Sequence, residues 1–507
     1  MHTSDLIERK VRRAAGVLLH PTSLPGRYGA GDLGDELTSF LDWAASAGMH
    51  YWQVLPINPP GYGNSPYGCL SSFAGSPLLI SPQRLLQERL LTAEAMAESS
   101  VPPFPAERVD FDQAVPYKMA LLRETWNRFG TDAPEDHRRG FGQFEHDPQH
   151  KFWLDDFATF MALKERTGGA PWWSWDTPIA HREKAVMRKV HRDLRDEIRF
   201  HKFVQYLFFS QWRAVRDAAR KRGIAIIGDV PIYVALDSAD VWASRELFQL
   251  DDGGQPVVVA GVPPDYFSST GQRWGNPLYR WDVMAADQFR WWVARVRANL
   301  AFADIVRLDH FRGFVAYWEI PASEPTAIHG RWMPGPGRAL FDALRTAIGD
   351  LPLIAEDLGF ITPEVDELRR HAELPGMKIL QFGFGQPDSP HLPHRFECET
   401  VAYTGTHDND TALGWLSTAP EHERALARLY LGDHNGEFAW ALIRAAYTSV
   451  AETAIVPAQD ILGLASEGRM NTPGAEENNW SWRLELGALT PEHAARLRRL
   501  AEITGRI

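Results

Sequence analysis

Asp304-Ile305-Val306-Arg307-Leu308-Asp309 is a short apolar run that ends in an acidic residue, and it is one of eight similar runs along the chain. The others lie at residues 16–20, 51–56, 224–229, 353–357, 377–382, 400–404 and 453–457. Their apolar character is continuous rather than alternating, which is typical of strands buried on both faces of a parallel sheet. Helical patterns separate several of the runs. The sequence therefore predicts an α/β protein built as a (β/α)8 TIM barrel.

The spacing of the eight runs is uneven, which predicts large insertions between strands. We expect residues 1–507 to form a single catalytic barrel. A mainly helical insertion is predicted at approximately 57–200, after strand 2, and a loop-rich insertion at approximately 231–282, after strand 3, covering the cleft. Few residues follow the eighth run, so no C-terminal β-sandwich domain is expected.

Several helix boundaries can be predicted from single residues. A helical pattern from about 185 to 222 ends at Gly223, a residue suited to the left-handed position after a helix. Thr362-Pro363-Glu364 and Thr490-Pro491-Glu492 each combine an N-cap residue, a first-turn proline and an acidic first turn. A further helix is predicted over 285–302 from its apolar spacing.

Composition excludes several functional classes. The net charge of -12 and the absence of a clustered basic stretch argue against a nucleic-acid partner. Two cysteines, Cys69 and Cys398, cannot form a disulfide framework and suit a reducing cytoplasm. The N-terminus lacks a signal-peptide pattern, and no apolar run is long enough to span a membrane. We expect a soluble, cytoplasmic protein that does not associate with membranes.

Acidic residues follow four of the runs, where the carboxyl ends of barrel strands carry reactive groups. They are Asp229, Asp309, Glu356 and, in the loop after the seventh run, Asp408. Arg307 lies on the same strand face as Asp309 and is expected to keep it ionised, as a nucleophile requires. Burial is expected to raise the pKa of Glu356, as a general acid requires. Two such carboxyl groups about 5–5.5 Å apart would define a retaining glycosidase.

Spacing alone leaves other interpretations open. The acids are also compatible with stabilising ion pairs or helix caps, with an aldolase-like barrel, or with a metal-dependent hydrolase. Longer motifs narrow the choice. They are Ser65–Gly68, Gly228–Val234, Gly261–Phe267 with its continuation Gly271–Pro277, Arg307–Gly313, Ala355–Gly359, Tyr403–Thr411 and Arg469–Gly474. In order and nearly across the whole chain, these segments resemble the amylomaltases, the 4-α-glucanotransferases of glycoside hydrolase family 77 in the α-amylase clan.

The resemblance implies a role for each matching residue. Asp309 looks like the family's nucleophile, Glu356 like its acid/base and Asp408 like its transition-state stabiliser. Further matches line the donor sugar site or a loop arching over the cleft. The donor-site matches are Tyr67, Asp229, Arg307, His310 and His407, and the substrate-binding loop matches are Asp265, Tyr266, Phe267, Trp274 and Asn276.

The implied activity is transfer of α-1,4-glucan segments between maltooligosaccharides, starch- or glycogen-derived maltodextrins and glucose, with retention of configuration. No metal or organic cofactor is implied. Two alternatives remain at this point. A plain α-glucan hydrolase would use the same acids, and a non-catalytic glucan-binding barrel would be expected to have lost them. The missing β-sandwich favours the transferase over the hydrolase, and the three retained acids argue against the binding protein.

Overall fold

A computed structural model describes residues 13–264, 268–432, 435–475 and 477–507. Its central sheet has eight parallel strands, one for each predicted run. In chain order they are β1 (Ala14–Leu18), β2 (Tyr51–Gln53), β3 (Ala225–Val230), β4 (Ile305–Leu308), β5 (Leu353–Ala355), β6 (Gly376–Ile379), β7 (Thr400–Tyr403) and β8 (Thr453–Pro457). The prediction of a (β/α)8 barrel is confirmed.

The sheet closes between β5 and β6. All other neighbours in the sheet are consecutive strands, with β8 pairing β1. At the closure, the Ala355 N–H donates to the Pro375 carbonyl oxygen at 3.0 Å. The Met377 N–H donates to Oδ1 of Asp357 at 2.6 Å, and Oδ2 of that carboxylate lies 3.6 Å from Nε of Arg369. Closure brings the carboxyl ends of all eight strands to one rim.

Side chains alternate along the strands between the barrel interior and the surrounding helices. In β3, Ile227 belongs to the interior cluster, whereas Ile226 packs with the outer core. In β4, Val306 and Leu308 pack with the outer core. Because side chains alternate along a strand, Arg307 lies on the inner face. The interior cluster includes Leu18, Ile227, Ile354, Met377, Val401, Tyr403 and Ile455. Each buried strand thus contributes side chains both to the interior of the barrel and to the core between the sheet and the helices.

Helices fill the segments between the strands and follow β8. Between β1 and β3 they are Asp35–Ser46, Pro82–Gln87, Ala93–Glu98, Phe111–Asp132, Glu135–His146, Leu154–Arg166, Thr177–Ala180, Lys184–Asp193 and Arg195–Lys221. Between β3 and β8 they are Ala239–Ala243, Trp281–Ala286, Arg290–Phe302, Arg338–Ile348, Pro363–His371, Ala412–Thr418, Glu421–Leu431 and Phe438–Thr448. Ala458–Leu462 and Pro491–Ile503 follow β8, where the described residues contain no strand. Among all helices of the described ranges, none has the length and apolar character needed to cross a bilayer.

The predicted helix ends are confirmed at three places. Gly223 has φ +74° just after the helix Arg195–Lys221. Thr490 caps the helix Pro491–Ile503, because its side chain accepts a bond from the His493 N–H and the His493 ring accepts one from the Thr490 N–H. Thr362 caps the helix Pro363–His371 by position only, without a side-chain bond.

The prediction of one helix over 285–302 is wrong at its start. The structure has two helices, Trp281–Ala286 and Arg290–Phe302. Gln288 and Phe289 break them apart with φ of +58° and +55°. Phe289 is nevertheless buried, so the apolar spacing identified a core position and not a helical one.

A second, antiparallel sheet of four strands lies outside the barrel. Its strands are Gln272–Pro277, Val258–Val262, Ala316–Pro321 and Arg331–Pro334, in that spatial order. The first two belong to the segment between β3 and β4, and the other two follow β4. The sheet therefore ties the segment after β3 to the segment after β4.

The pairing of β1 with β2 generates a prediction on stability. Gly16 is the partner of Tyr51, and a Cβ on Gly16 would lie 2.7 Å from Cβ and 2.9 Å from the carbonyl oxygen of Tyr51. We expect Gly16→Ala to lower the free energy of unfolding by about 1–3 kcal/mol, because the added methyl overpacks the strand pair. Denaturant unfolding followed by circular dichroism measures this change.

Gly130→Ala is the matched control. Gly130 is an exposed residue of the helix Phe111–Asp132, and an added Cβ would have no neighbour within 4 Å. This substitution is expected to raise the free energy of unfolding by about 0.5–1 kcal/mol. Equal effects of the two substitutions would contradict the close contact in the barrel.

Candidate active site

Five of the predicted polar residues meet at the carboxyl-end rim of the barrel. Asp229 lies near the end of β3 and Arg307 near the end of β4, while Asp309 directly follows β4. Glu356 directly follows β5, and Asp408 lies in the loop after β7. Barrel closure brings them together, since they are far apart in the chain.

Arg307 is the central charge of this rim. It is the register partner of Asp229 in the neighbouring strand, and both side chains point into the barrel. Its Nη1 contacts both carboxylate oxygens of Asp229, at 2.9 and 2.7 Å, and its Nη2 lies 3.0 Å from Oδ1 of Asp309. The Tyr67 hydroxyl donates to Oδ2 of Asp229 at 2.7 Å. The guanidinium therefore holds Asp229 and Asp309 in place, each through its own nitrogen.

The predicted pairing of Asp309 with Arg307 is present, but the net effect on Asp309 differs from the prediction. Burial raises the pKa of Asp309, and the positive charge of Arg307 opposes this rise. Asp229 and Asp408 raise it further, so the pKa of Asp309 is about 6. Asp309 is ionised at neutral pH, although less readily than an exposed aspartate.

Glu356 is held by backbone donors on both oxygens. The His310 N–H donates to Oε2 at 2.7 Å and the Leu358 N–H to Oε1 at 3.0 Å. His310 directly follows Asp309 and adopts a left-handed conformation, with φ +53°, so this bond links the two acids through one residue. Burial and the charge of Asp309 raise the pKa of Glu356 well above its ordinary value, despite both bonds and Arg307.

The pKa of Asp408 is shifted in the opposite direction from that of Glu356. Burial acts to raise its pKa, but His407 and the amide of Asn471 outweigh burial and leave the pKa below its ordinary value. His407 Nε2 lies 3.2 Å from Oδ2, and Asn471 Nδ2 donates to Oδ1 at 2.6 Å. The rim thus combines one carboxyl group that keeps its proton with one that gives it up readily, as acid catalysis beside a fixed negative charge requires.

Aromatic rings form one wall of the site. Tyr67 stacks on His407 with ring centroids 5.1 Å apart and planes at 15°. Trp480 packs against both rings, at 5.7 and 6.0 Å, and takes a left-handed conformation with φ +64°. Trp274 meets His310 edge to face, with ring centroids 4.9 Å apart. Flat apolar faces beside hydrogen-bonding groups suit a sugar ring.

The predicted loop residues have different positions. Trp274 is partly exposed and faces the site through His310. Asn276 instead uses its side-chain nitrogen to donate to the Val234 carbonyl oxygen at 2.9 Å, which secures the loop. Asp265, Tyr266 and Phe267 lie outside the described residues.

Two residues of the site were missed by reasoning from sequence. Asn471 and Trp480 lie after β8, in and just beyond the motif Arg469–Gly474. Neither is charged or placed at a strand end, so the rule used for the acids could not select them. The motif itself was the available signal for Asn471, and the Trp480-Ser481-Trp482 cluster was a weaker one for Trp480.

Comparison with known proteins agrees with this geometry. A model of the 4-alpha-glucanotransferase family, glycoside hydrolase family 77, matches residues 19–489. This chain belongs to that family. A 4-alpha-glucanotransferase of Thermus thermophilus is 50% identical over 504 residues, which cover 98% of this chain and 99% of the relative. A 4-alpha-glucanotransferase of Synechocystis sp. is 48% identical, with 98% of each chain covered.

A solved structure of the same family has the same fold. The amylomaltase of Streptococcus agalactiae in complex with acarbose superposes with a TM-score of 0.94 at 37% sequence identity. The match covers 98% of this chain and 100% of that one. The barrel and its additions are therefore those of this glucanotransferase family.

The raised pKa of Asp309 predicts that this side chain weakens the fold at neutral pH. A carboxyl group whose pKa is higher in the folded than in the unfolded chain costs stability once both states have lost the proton. We expect Asp309→Asn to raise the free energy of unfolding at pH 7 by about 3 kcal/mol. The gain should be full above about pH 6 and vanish below about pH 4, where both states are protonated.

Asp408→Asn is the matched control with the opposite sign. The pKa of Asp408 is lowered in the folded chain, so its charge stabilises the fold above its unfolded pKa, and its removal should lower the unfolding free energy at pH 7. Thermal and urea unfolding of both variants between pH 4 and 8 measure the two effects. Destabilisation by both substitutions at pH 7 would contradict the electrostatics described above.

Proposed function

We propose that this protein is a 4-alpha-glucanotransferase that moves α-1,4-glucan segments from a donor maltodextrin to the 4-hydroxyl of an acceptor glucan or glucose. The observation that carries the proposal is the trio Asp309, Glu356 and Asp408 around one rim, with the pKa of Glu356 raised and that of Asp408 lowered. Family membership supports the same reaction.

In the first half of the reaction Glu356 is the acid. It gives its proton to the glycosidic oxygen while Asp309 attacks the anomeric carbon, so the carbon–oxygen bond to the leaving fragment breaks as the bond to Asp309 forms. Arg307 keeps the attacking oxygen oriented. Asp408 binds sugar hydroxyls and stabilises the positive charge that develops on the ring.

In the second half Glu356 is the base. It takes the proton of the incoming 4-hydroxyl, which attacks the anomeric carbon and releases Asp309. Two inversions give net retention. Transfer prevails over hydrolysis when water is kept from the intermediate, and we assign that shielding to the predicted insertions at 57–200 and 231–282.

The sugar-contacting residues follow from the rim. Tyr67, stacked on His407, is proposed to hold the ring that is cleaved, and Asp229 and His310 to bind its hydroxyls. Asp265, Tyr266, Phe267 and Trp274 are proposed to hold the glucan on either side of the cleaved bond, with Asn276 fixing their loop. We place the enzyme in the cytoplasm, with α-1,4-glucans as its partners and no cofactor in the reaction.

Maltotriose distinguishes transfer from hydrolysis. We expect the protein to convert it into free glucose and a series of longer maltodextrins, which chromatography of the products resolves. Asp309→Asn is expected to reduce the rate by at least about three orders of magnitude, because no covalent intermediate forms. Glu356→Gln should cost about 10²–10⁴-fold, the usual contribution of a general acid.

The isosteric control is Glu364→Gln, on the exposed first turn of the helix Pro363–His371. It should keep the rate of the unmodified protein. Formation of glucose and maltose without longer products would show that the protein is a hydrolase and not a transferase. Turnover retained by a folded Asp309→Asn variant would show that another group is the nucleophile.

The pH dependence follows from the same acids. Catalysis requires Asp309 without its proton and Glu356 with its proton. We expect kcat/KM to rise with pH through about 6, as Asp309 ionises, and to fall at higher pH, as Glu356 loses its proton. Initial rates with maltotriose between pH 4 and 9 test this profile. A rate that falls steadily from pH 5 to 7 would contradict the assigned roles.

A further inference from the structure

An exposed aromatic surface lies beside Glu356 and has no part in the mechanism above. Its members are Arg312, Trp332 and Phe360, which we call the Arg312 platform. Phe360 is 72% exposed and Trp332 is 38% exposed. The Arg312 guanidinium carbon lies 3.8 Å from the centroid of the Trp332 ring and 5.7 Å from that of Phe360. A phenylalanine so exposed forgoes most of the roughly 2 kcal/mol that burial would contribute.

Arg312 is an unusual cation because it is only 6% exposed and yet has no carboxylate partner among the described residues. Its Nε and Nη1 are buried, and within the same ranges neither has a hydrogen-bond acceptor. Burial lowers the pKa of Arg312. Stacking on Trp332 is the main compensation that the fold provides, and the third guanidinium nitrogen, Nη2, which is not one of these buried atoms, is the donor available to a ligand.

The platform is built on the two segments that meet at Glu356. Arg312 is two residues beyond His310, whose N–H binds Glu356, and the Phe311 N–H donates to the Glu356 carbonyl oxygen at 3.0 Å. Phe360 is four residues beyond Glu356, so its Cα lies within about 14 Å of that residue along the chain. The platform is therefore built on the segments after β4 and β5 that also carry Asp309 and Glu356.

The chemistry of the platform favours a neutral, hydroxyl-rich ligand. The exposed face of Phe360 offers apolar contact, and the guanidinium offers donors to hydroxyl oxygens. An anionic ligand would suit the arginine alone, but it would leave the exposed ring of Phe360 unused, and the protein carries a net charge of -12. Sugar rings combine apolar C–H faces with hydroxyl groups and match both features.

We propose that the Arg312 platform binds the acceptor glucan beyond its first sugar unit, with one ring stacked on Phe360 and its hydroxyls accepting from Arg312. The inference rests on the proposed function, because Glu356 marks the side where the leaving fragment departs and the acceptor enters. It makes Phe360 a determinant of acceptor length, a role separate from bond cleavage.

Phe360→Ala tests the proposal, since this exposed ring can be removed without disturbing a core. With amylose as donor at fixed concentration, the rate of transfer is measured against the concentration of glucose, maltose or maltotriose as acceptor. We expect the KM for maltose and maltotriose to rise about fivefold to tenfold, the usual range for the loss of one aromatic stacking contact. The KM for glucose should rise much less, because glucose does not reach the platform.

Two further variants complete the test. Phe360→Trp keeps a stacking face and should restore the KM for maltose and maltotriose to within about twofold of the unmodified protein. Leu429→Ala removes an apolar side chain that is 82% exposed on the helix Glu421–Leu431 and is not part of the Arg312 platform, so all three KM values should stay as they were.

The outcomes separate the inference from the function on which it rests. If the unmodified protein transfers glucan and Phe360→Ala changes the KM for all three acceptors equally, the proposed role of the Arg312 platform is wrong. The proposed transferase function is then unaffected. Absence of transfer to any acceptor by the unmodified protein would overturn the proposed function and the inference with it. A selective rise that Phe360→Trp reverses supports both.

Discussion

The buried guanidinium of Arg307 is the contact on which the organisation of the rim depends. It is 2% exposed and reaches Asp229 and Asp309 through different nitrogens. A cation inside a barrel is tolerable only with carboxylates beside it, and two carboxylates at one rim are tolerable only with such a cation. Arg307 thereby links Asp229 at the end of β3 to Asp309 after β4 and holds both carboxylates at the rim.

The acids at the rim have different pKa values because their surroundings differ, not because they are different residue types. Asp309 and Asp408 are both aspartates, yet burial dominates at the first, while His407 and Asn471 dominate at the second. Glu356 accepts two backbone N–H groups and still retains its proton, since burial and the charge of Asp309 are larger effects. Neighbouring groups thus give three carboxyl groups at one rim of the barrel different pKa values.

The barrel was predictable from sequence because each strand is a local, continuous apolar run. The meeting of Asp309, Glu356 and Asp408 at one rim was predictable because the carboxyl ends of barrel strands share that rim. The antiparallel sheet was not, since its strand Gln272–Pro277 contains Arg273, Trp274 and Gly275 instead of an apolar pattern, and the sheet depends on the pairing of Val258–Val262 with Ala316–Pro321, far along the chain. The raised pKa of Asp309 was also beyond reach, because the balance of burial against Arg307 requires coordinates.

That antiparallel sheet has a mechanical consequence. Val258–Val262, in the segment after β3, pairs with Ala316–Pro321, which starts only a few residues beyond Asp309. The hairpin strands Val258–Val262 and Gln272–Pro277 are therefore joined by backbone hydrogen bonds to the segment that follows Asp309 and His310. Because this pairing extends over several residues, displacing one of the two segments strains the hydrogen bonds to the other.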